Sequence, residues 1–266
     1  GSSARIGRRI TVRDALLVIQ IAICAVLVTS SMVAVRGLAR SLHANFGFEP
    51  RTMLVGTNLV MAGYAGDSIQ IMQKRMLKAL EGIPGVECAG LVNNYPPLVY
   101  GSATRTNVFK EEASDFRPSN AAGTPFKYEI SPQYFQAAGT ALLAGREFTW
   151  HDDKEAPAVA LVNREFAGNM FGSVTNAVGR FYKLQDGTRV QVVGVVEDGK
   201  YLSLTEEHQP AIFLSFLRSP ASQAYLLLRS KRDPQELAAS VRSEMRKLDS
   251  GLPVDTATWN AMLDVV

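Results

Sequence analysis

Residues 51–92, RTMLVGTNLVMAGYAGDSIQIMQKRMLKALEGIPGVECAGLV, read as strand, helix and strand. Arg51–Val60 is apolar and rich in strand formers. Asp67 stands in position to cap a helix, with Gln70 three residues on at capping-box spacing. Ile69, Met72, Met76, Leu77 and Leu80 then recur at helical spacing, with Lys74, Arg75 and Lys78 between them. Gly82-Ile83-Pro84-Gly85 stops the helix, and Val86–Val92 follows as a second strand.

The same order returns at the other end of the chain. Ala224–Ser230 is a strand, and Asp233-Pro234 gives a cap followed by proline at the first helical position. Leu237, Val241, Met245 and Leu248 make one apolar face, Gly251-Leu252-Pro253 ends the helix, and Val254–Trp259 is a closing strand. Two such units with right-handed crossovers fit one split-βαβ sheet carrying two helices on one face. A further strand, Ala211–Phe216, immediately precedes the second unit.

Between the units lies a region of short strands and turns. Thr104–Phe109, Phe126–Ile130 and Ala158–Val162 read as strands, and Asn163 caps a short helix running to Phe171. Ser131-Pro132 opens another short helix, anchored by Tyr134 and Phe135 and stopped at Gly139. Phe181–Leu184 and Arg189–Val196 form a hairpin across Asp186-Gly187, a strong turn signal. The expected body is therefore α+β, a ferredoxin-like lobe with a mostly β insertion.

Upstream, Ala15–Val35 (ALLVIQIAICAVLVTSSMVAV) carries no charge over about 21 residues, the length that spans a bilayer core as a helix. A buried soluble helix would show a polar stripe, and a signal peptide has a shorter apolar region. Arg5, Arg8, Arg9 and Arg13 precede the run, against Arg36 and Arg40 after it. This bias puts the N-terminus in the cytoplasm and the main domain outside it. The net charge of +3 is too small to indicate a nucleic-acid partner. Cys24, in the apolar run, and Cys88, in a strand, give no disulfide framework.

Few residues suggest chemistry. His43, His151 and His208 lie far apart, and none has the i, i+4 partner that would set two ligands on one helix face. His151-Asp152-Asp153 has cation-binding residue types but reads as a solvated acidic turn just after Phe148 and Trp150. Asp198-Gly199-Lys200, Glu206-Glu207-His208 and the pair Glu111-Glu112 read as loop polar groups, and Met72 and Met76 as core. No G-x-S-x-G elbow and no G-x-x-x-x-G-K-[ST] phosphate loop is present. No catalytic, cofactor-binding or metal residue is nominated, and no enzyme activity is expected. The stiff loop Asn93-Asn94-Tyr95-Pro96-Pro97-Leu98-Val99-Tyr100 is either a hinge or partner-binding edge, or a crossover with buried aromatics.

The order Ser131-Pro132-Gln133-Tyr134-Phe135, Gly145-Arg146-Glu147-Phe148, Val159–Asn163 and Val192-Val193-Gly194-Val195-Val196-Glu197-Asp198 resembles the periplasmic core domain of MacB/FtsX-type ABC transporter permeases. The ending, with Arg229, Asp233-Pro234, Leu237, Leu248-Asp249 and Leu252-Pro253-Val254, fits the same family. The likeness covers about residues 10–266 and is strongest to the duplicated orphan permeases of acidobacteria. It implies a cytoplasmic segment at 1–14, a transmembrane helix at 15–36, a porter-like lobe at 37–92 and 210–266, and a sabre-like insertion at 93–209. It further implies a non-catalytic part of an efflux or export system in the bacterial inner membrane. A cytoplasmic ABC ATPase would drive it, and a second permease half or a second copy, with a periplasmic adaptor protein, would complete it. Family permeases carry four transmembrane helices, three of them after the periplasmic domain, so the resemblance implies a piece of a longer permease. The competing reading is a single-pass extracytoplasmic sensor with a ligand cleft between its lobes; a membrane-anchored hydrolase is the third.

Overall fold

A computed structural model describes residues 12–42, 49, 52–93, 104–203, 206–219, 221–258 and 261. The chain forms two compact units, Gly1–Ala44 and Asn45–Val266.

The first unit is one helix, α1 (Val12–Leu42). Leu16, Ile21, Val26, Leu27 and Val33 on several sides of it are exposed. Thr29 donates its hydroxyl back to the carbonyls of Ala25 (2.8 Å) and Val26 (2.9 Å), so it adds no unpaired polar group. Among the described residues, no helix is long and apolar enough to cross a membrane. The described residues therefore do not show the transmembrane span expected over residues 15–36, and the expected cytoplasmic segment lies mostly outside them.

The second unit is built, in chain order, from β1 (Met53–Asn58), α2 (Asp67–Glu81), β2 (Val86–Asn93), β3 (Val108–Lys110), β4 (Phe126–Ile130), α3 (Tyr134–Ala138), β5 (Leu142–Gly145) and β6 (Val159–Asn163). There follow α4 (Arg164–Phe171), α5 (Val174–Ala177), β7 (Phe181–Leu184), β8 (Arg189–Val196), β9 (Ala211–Ser215), β10 (Gln223–Ser230), α6 (Pro234–Leu248) and β11 (Asp255–Thr258). The strands make one sheet in the order β11-β1-β10-β2-β4-β9-β6-β8-β7-β3, with β5 added on β8. The fold is mixed α+β with a mostly β body.

The half-sheet β11-β1-β10-β2 contains both strand–helix–strand units, interleaved so that each unit's two strands flank a strand of the other. Side chains alternate as a pleat requires. Met53, Val55, Ala89, Leu91, Leu226 and Leu228 face α2 and α6, where Met72, Met76, Leu80, Leu237, Val241 and Met245 complete one core. Leu54, Val92, Tyr225 and Leu227 face the other way, toward α3. Gly90 lets α3 approach, since a Cβ there would sit 2.6 Å from the Cα of Tyr134.

Two local expectations change. Asp67 is the first helical residue rather than the cap: Gly66, at φ 57° and ψ −136°, takes the cap position without a side-chain bond. Ser68 instead closes the turn, accepting from the amide of Ala65 (3.0 Å) and donating to its carbonyl (2.7 Å). By contrast Asp233 caps α6 as expected, accepting from the amides of Gln235 and Glu236. The strand expected at Ala211–Phe216 exists as β9, but it pairs with β4 and β6 and so belongs to the other half-sheet. Asn163 holds it there, accepting from the amide of Ala211 (2.9 Å) and donating to the carbonyl of Gln209 (2.7 Å).

Candidate functional site: the seam between the half-sheets

Among the described residues the ladder between the two half-sheets has one residue pair in register, Val92 opposite Ile130. Ser131 extends this short ladder. Its hydroxyl accepts from the amide of Leu91 (2.8 Å), and its own amide donates to the Leu91 carbonyl (2.9 Å). The amide of Phe216 donates to the carbonyl of Ile130 (3.0 Å), bringing the end of β9 to the same point.

On the α3 face the seam is apolar and continuous. Leu54, Val92 and Leu227 of the first half-sheet share a core with Phe126, Tyr128, Leu161, Val196 and Phe213 of the second. Phe213 lies 4.8 Å edge-on from Phe135 and 5.7 Å stacked on Tyr128. Tyr201 adds its ring 5.6 Å from Phe126 and 5.8 Å from Tyr128. Burial pushes the phenols of Tyr128, Tyr134 and Tyr201 up, so all three stay neutral.

The opposite face, under α2, is polar where it crosses. The Gln73 carboxamide donates to the carbonyl of Ala221 (2.8 Å) and to Asn93 Oδ1 (3.4 Å). Asn93 donates to the Ser219 carbonyl (3.1 Å) and to Glu129 Oε2 (3.4 Å). Glu129 is ion-paired through its other oxygen to Lys127 Nζ (3.1 Å). Gln70 donates to the carbonyl of Leu217 (2.9 Å) instead of completing a capping box. Gln73 and Asn93 are fully buried and Glu129 nearly so. Further out, Lys74 of α2 sits 5.7 Å over the ring of Trp150, which is itself 6.1 Å from Phe216.

This arrangement has no nucleophile–base pair at its centre. Its groups bind backbone and one another, so what it does chemically is join the two half-sheets.

The residues singled out from the sequence are scattered. His43 lies outside the described residues, as does the proline-bearing loop beyond Asn93, whereas His151 and His208 are exposed in separate loops. The acidic turn after Trp150 is not solvated throughout: Asp152 is buried. Both its oxygens accept from Arg146 (2.8 and 2.9 Å), and Oδ2 also accepts from the amide and hydroxyl of Thr149. Burial alone would raise the Asp152 carboxyl, but these bonds hold it below the ordinary carboxylate range. Arg218 donates to the carbonyls of Asp153 (2.6 Å) and Ala156 (2.7 Å), fixing the same loop.

Asp198 accepts from the amide of Glu165 at the start of α4 (2.8 Å), and burial raises its carboxyl. Glu206 accepts from the amides of Tyr201 and Leu202. Glu111 pairs with Arg189, and Met72 and Met76 are core. Cys24 and Cys88 are free thiols. Among the described residues no group of three or more His, Cys, Asp or Glu could hold a metal ion. A cleft of about 700 Å³ is lined by Glu49, Glu87, Arg229, Lys231, Arg232 and Asp233 among others; its charges balance, and none of its lining comes from the second half-sheet. The seam residues Gln73 and Glu129 escaped sequence reading, and Asn93 entered it only as the first residue of the proline-bearing loop. Their only signal was polar residues in otherwise apolar stretches.

The model of the MacB-like periplasmic core domain matches residues 15–244. Among solved structures, the chain is similar to the periplasmic region of MacB from Actinobacillus actinomycetemcomitans, with 13% identity over 85% of this chain and 97% of that one and a TM-score of 0.54. It is also similar to the extracellular domain of the noncanonic ABC-type transporter YknZ from Gram-positive bacteria, at 13% identity over 76% of this chain and 99% of that one, TM-score 0.48. No curated protein matches.

Proposed function

From the premise that the chain belongs to the MacB-like periplasmic core domain family of ABC-type transporter permeases, we propose that its body carries motion from the membrane to the periplasm and performs no chemistry of its own. The observation that carries this reading is the seam. Two half-sheets, each covered by its own helices, share one apolar core on one face, yet among the described residues their ladder is short, the Val92–Ile130 pair extended by Ser131. Such a joint is stiff against separation and compliant in angle, as a transmitting element must be.

In this proposal Ala15–Val35 spans the inner membrane as part of α1, with the arginine-rich N-terminus in the cytoplasm. The porter-like lobe is the half-sheet β11-β1-β10-β2 with α2 and α6. The sabre-like lobe is the remainder, and the pairing of β9 moves residues 210–216 into it. A cytoplasmic ABC ATPase supplies the work for efflux, and a second permease half or second copy, with a periplasmic adaptor, completes the assembly.

The test uses the full-length permease with its ATPase in nanodiscs. Spin labels are placed at exposed positions 78 and 186, one in each lobe, after replacement of Cys24 and Cys88. ATP should shift the distance distribution between the labels. An unchanged distribution during steady ATP hydrolysis would overturn the proposal.

A further inference from the structure

The segment 216–222 is the chain's return path from the second half-sheet to the first, joining β9 to β10. Three carboxamides of the first half-sheet and its helix hold it by the backbone. Gln70 takes the carbonyl of Leu217 at 2.9 Å, Asn93 that of Ser219 at 3.1 Å, and Gln73 that of Ala221 at 2.8 Å. The first half-sheet adds a fourth tie, the amide of Leu59 on the Ser222 carbonyl at 2.9 Å. Of the three carboxamides only Asn93 reaches the second half-sheet among the described residues, at Glu129 and 3.4 Å. The segment itself is strapped to that side by Arg218, which donates to the carbonyls of Asp153 (2.6 Å) and Ala156 (2.7 Å), and by the Leu217 amide on Ser215 Oγ (3.3 Å). Gln73 also keeps its Oε1 buried with no partner among the described residues, so the clamp retains a spare acceptor on the side of the first half-sheet.

We infer that Gln70, Gln73 and Asn93 form a carboxamide clamp that holds the backbone of the 217–222 segment to the first lobe, with the Arg218 side chain as its strap to the second. The line about which the lobes turn then runs through the Val92–Ile130 pair and the Asn93–Glu129 gap. This deepens the transmission reading above and rests on it for its use, although the clamp is measurable without any transport. Carboxamides suit the task because they stay neutral at every physiological pH and satisfy buried carbonyls that would otherwise be costly to leave unpaired. The chain leaves β9 as a passenger of the second lobe and crosses the turning line between Phe216 and Leu217.

Hydrogen exchange on the full chain in detergent micelles separates this from a merely structural network. Gln73→Met keeps the length of the side chain and removes its two bonds. It should speed exchange of the amides at 217–219 and 221–224 about tenfold, leaving those of β6 and β8 unchanged. Glu129→Gln should leave the 217–224 amides as protected as in the parent chain. If Gln73→Met does not fold, Gln70→Met, at a partly exposed site, should speed exchange at 217–219 alone. The clamp is overturned if Glu129→Gln loosens the segment as much as the clamp variant does. A uniform rise through the body, or no rise at 217–224, overturns it equally. Spin-label distances that ignore ATP while the exchange pattern holds would sink the transmission reading and leave the clamp standing.

Discussion

Gly90 and Asp152 set limits at the level of single residues. At Gly90 any Cβ meets the backbone of Tyr134 at 2.6 Å, and backbone cannot swing aside as a long side chain can. Gly90→Ala should therefore lose about 1–3 kcal/mol, read as a lower urea midpoint with an unchanged slope. Asp152 gives a prediction with a sign. Its folded carboxyl is held below the ordinary range of an aspartate, so its favourable contribution is fully present above that range. The contribution is lost as pH falls below about 4 and through the folded value. Asp152→Asn should accordingly lower the thermal midpoint at neutral pH and flatten its decline on acidification. A decline as steep as the parent's would show that other carboxylates control the acid limb. The Arg146–Asp152 pair, with only the carboxylate buried, was not legible in Gly145-Arg146-Glu147-Phe148-Thr149-Trp150-His151-Asp152, because an acidic run is read as solvated until something basic folds back on it.

The helix starts show how far local pattern reaches. Asp233 and Asp67 present the same signal, an acid before an apolar helical stripe. Only Asp233 bonds the first amides of its helix, because Pro234 fixes the backbone for it. At α2 the backbone turns at Gly66 in a conformation open to glycine, which moves the start forward and leaves Asp67 inside the first turn. Asp233→Ala should cost about 1 kcal/mol, whereas Asp67→Ala should cost less than half as much, through the helix dipole alone. Equal losses in paired denaturant titrations would contradict the assignment. Strand β9 carries the parallel lesson. Its apolar run marked it as a strand, but its place beside β4 and β6 depends on Asn163, a contact 48 residues away that no local window contains.

Across the whole molecule, the repeated strand–helix–strand units and the short-strand insertion were readable because periodicity and turn residues are local signals. The shared core was not, since its members are drawn from β1, β2, β4, α3, β6, β8, β9 and β10, and their apolar residues look alike on either face. That core has a thermodynamic consequence. Phe213 touches Phe135 and Tyr128 on the face where both half-sheets pack, so neither half can open fully without exposing the other's apolar surface. The body should then unfold in a single cooperative step even under the proposed transmission role, because bending at the seam would keep the core buried and unfolding does not. In a Trp259→Phe variant, Trp150 fluorescence from the second half and hydrogen exchange of the β1 and β10 amides from the first should report the same denaturant midpoint. Phe213→Ala should lower both midpoints together, by the equivalent of about 3–5 kcal/mol. Two separated transitions, or a shift seen by one probe only, would mean that the halves hold their cores independently and that the seam is a contact rather than a joint.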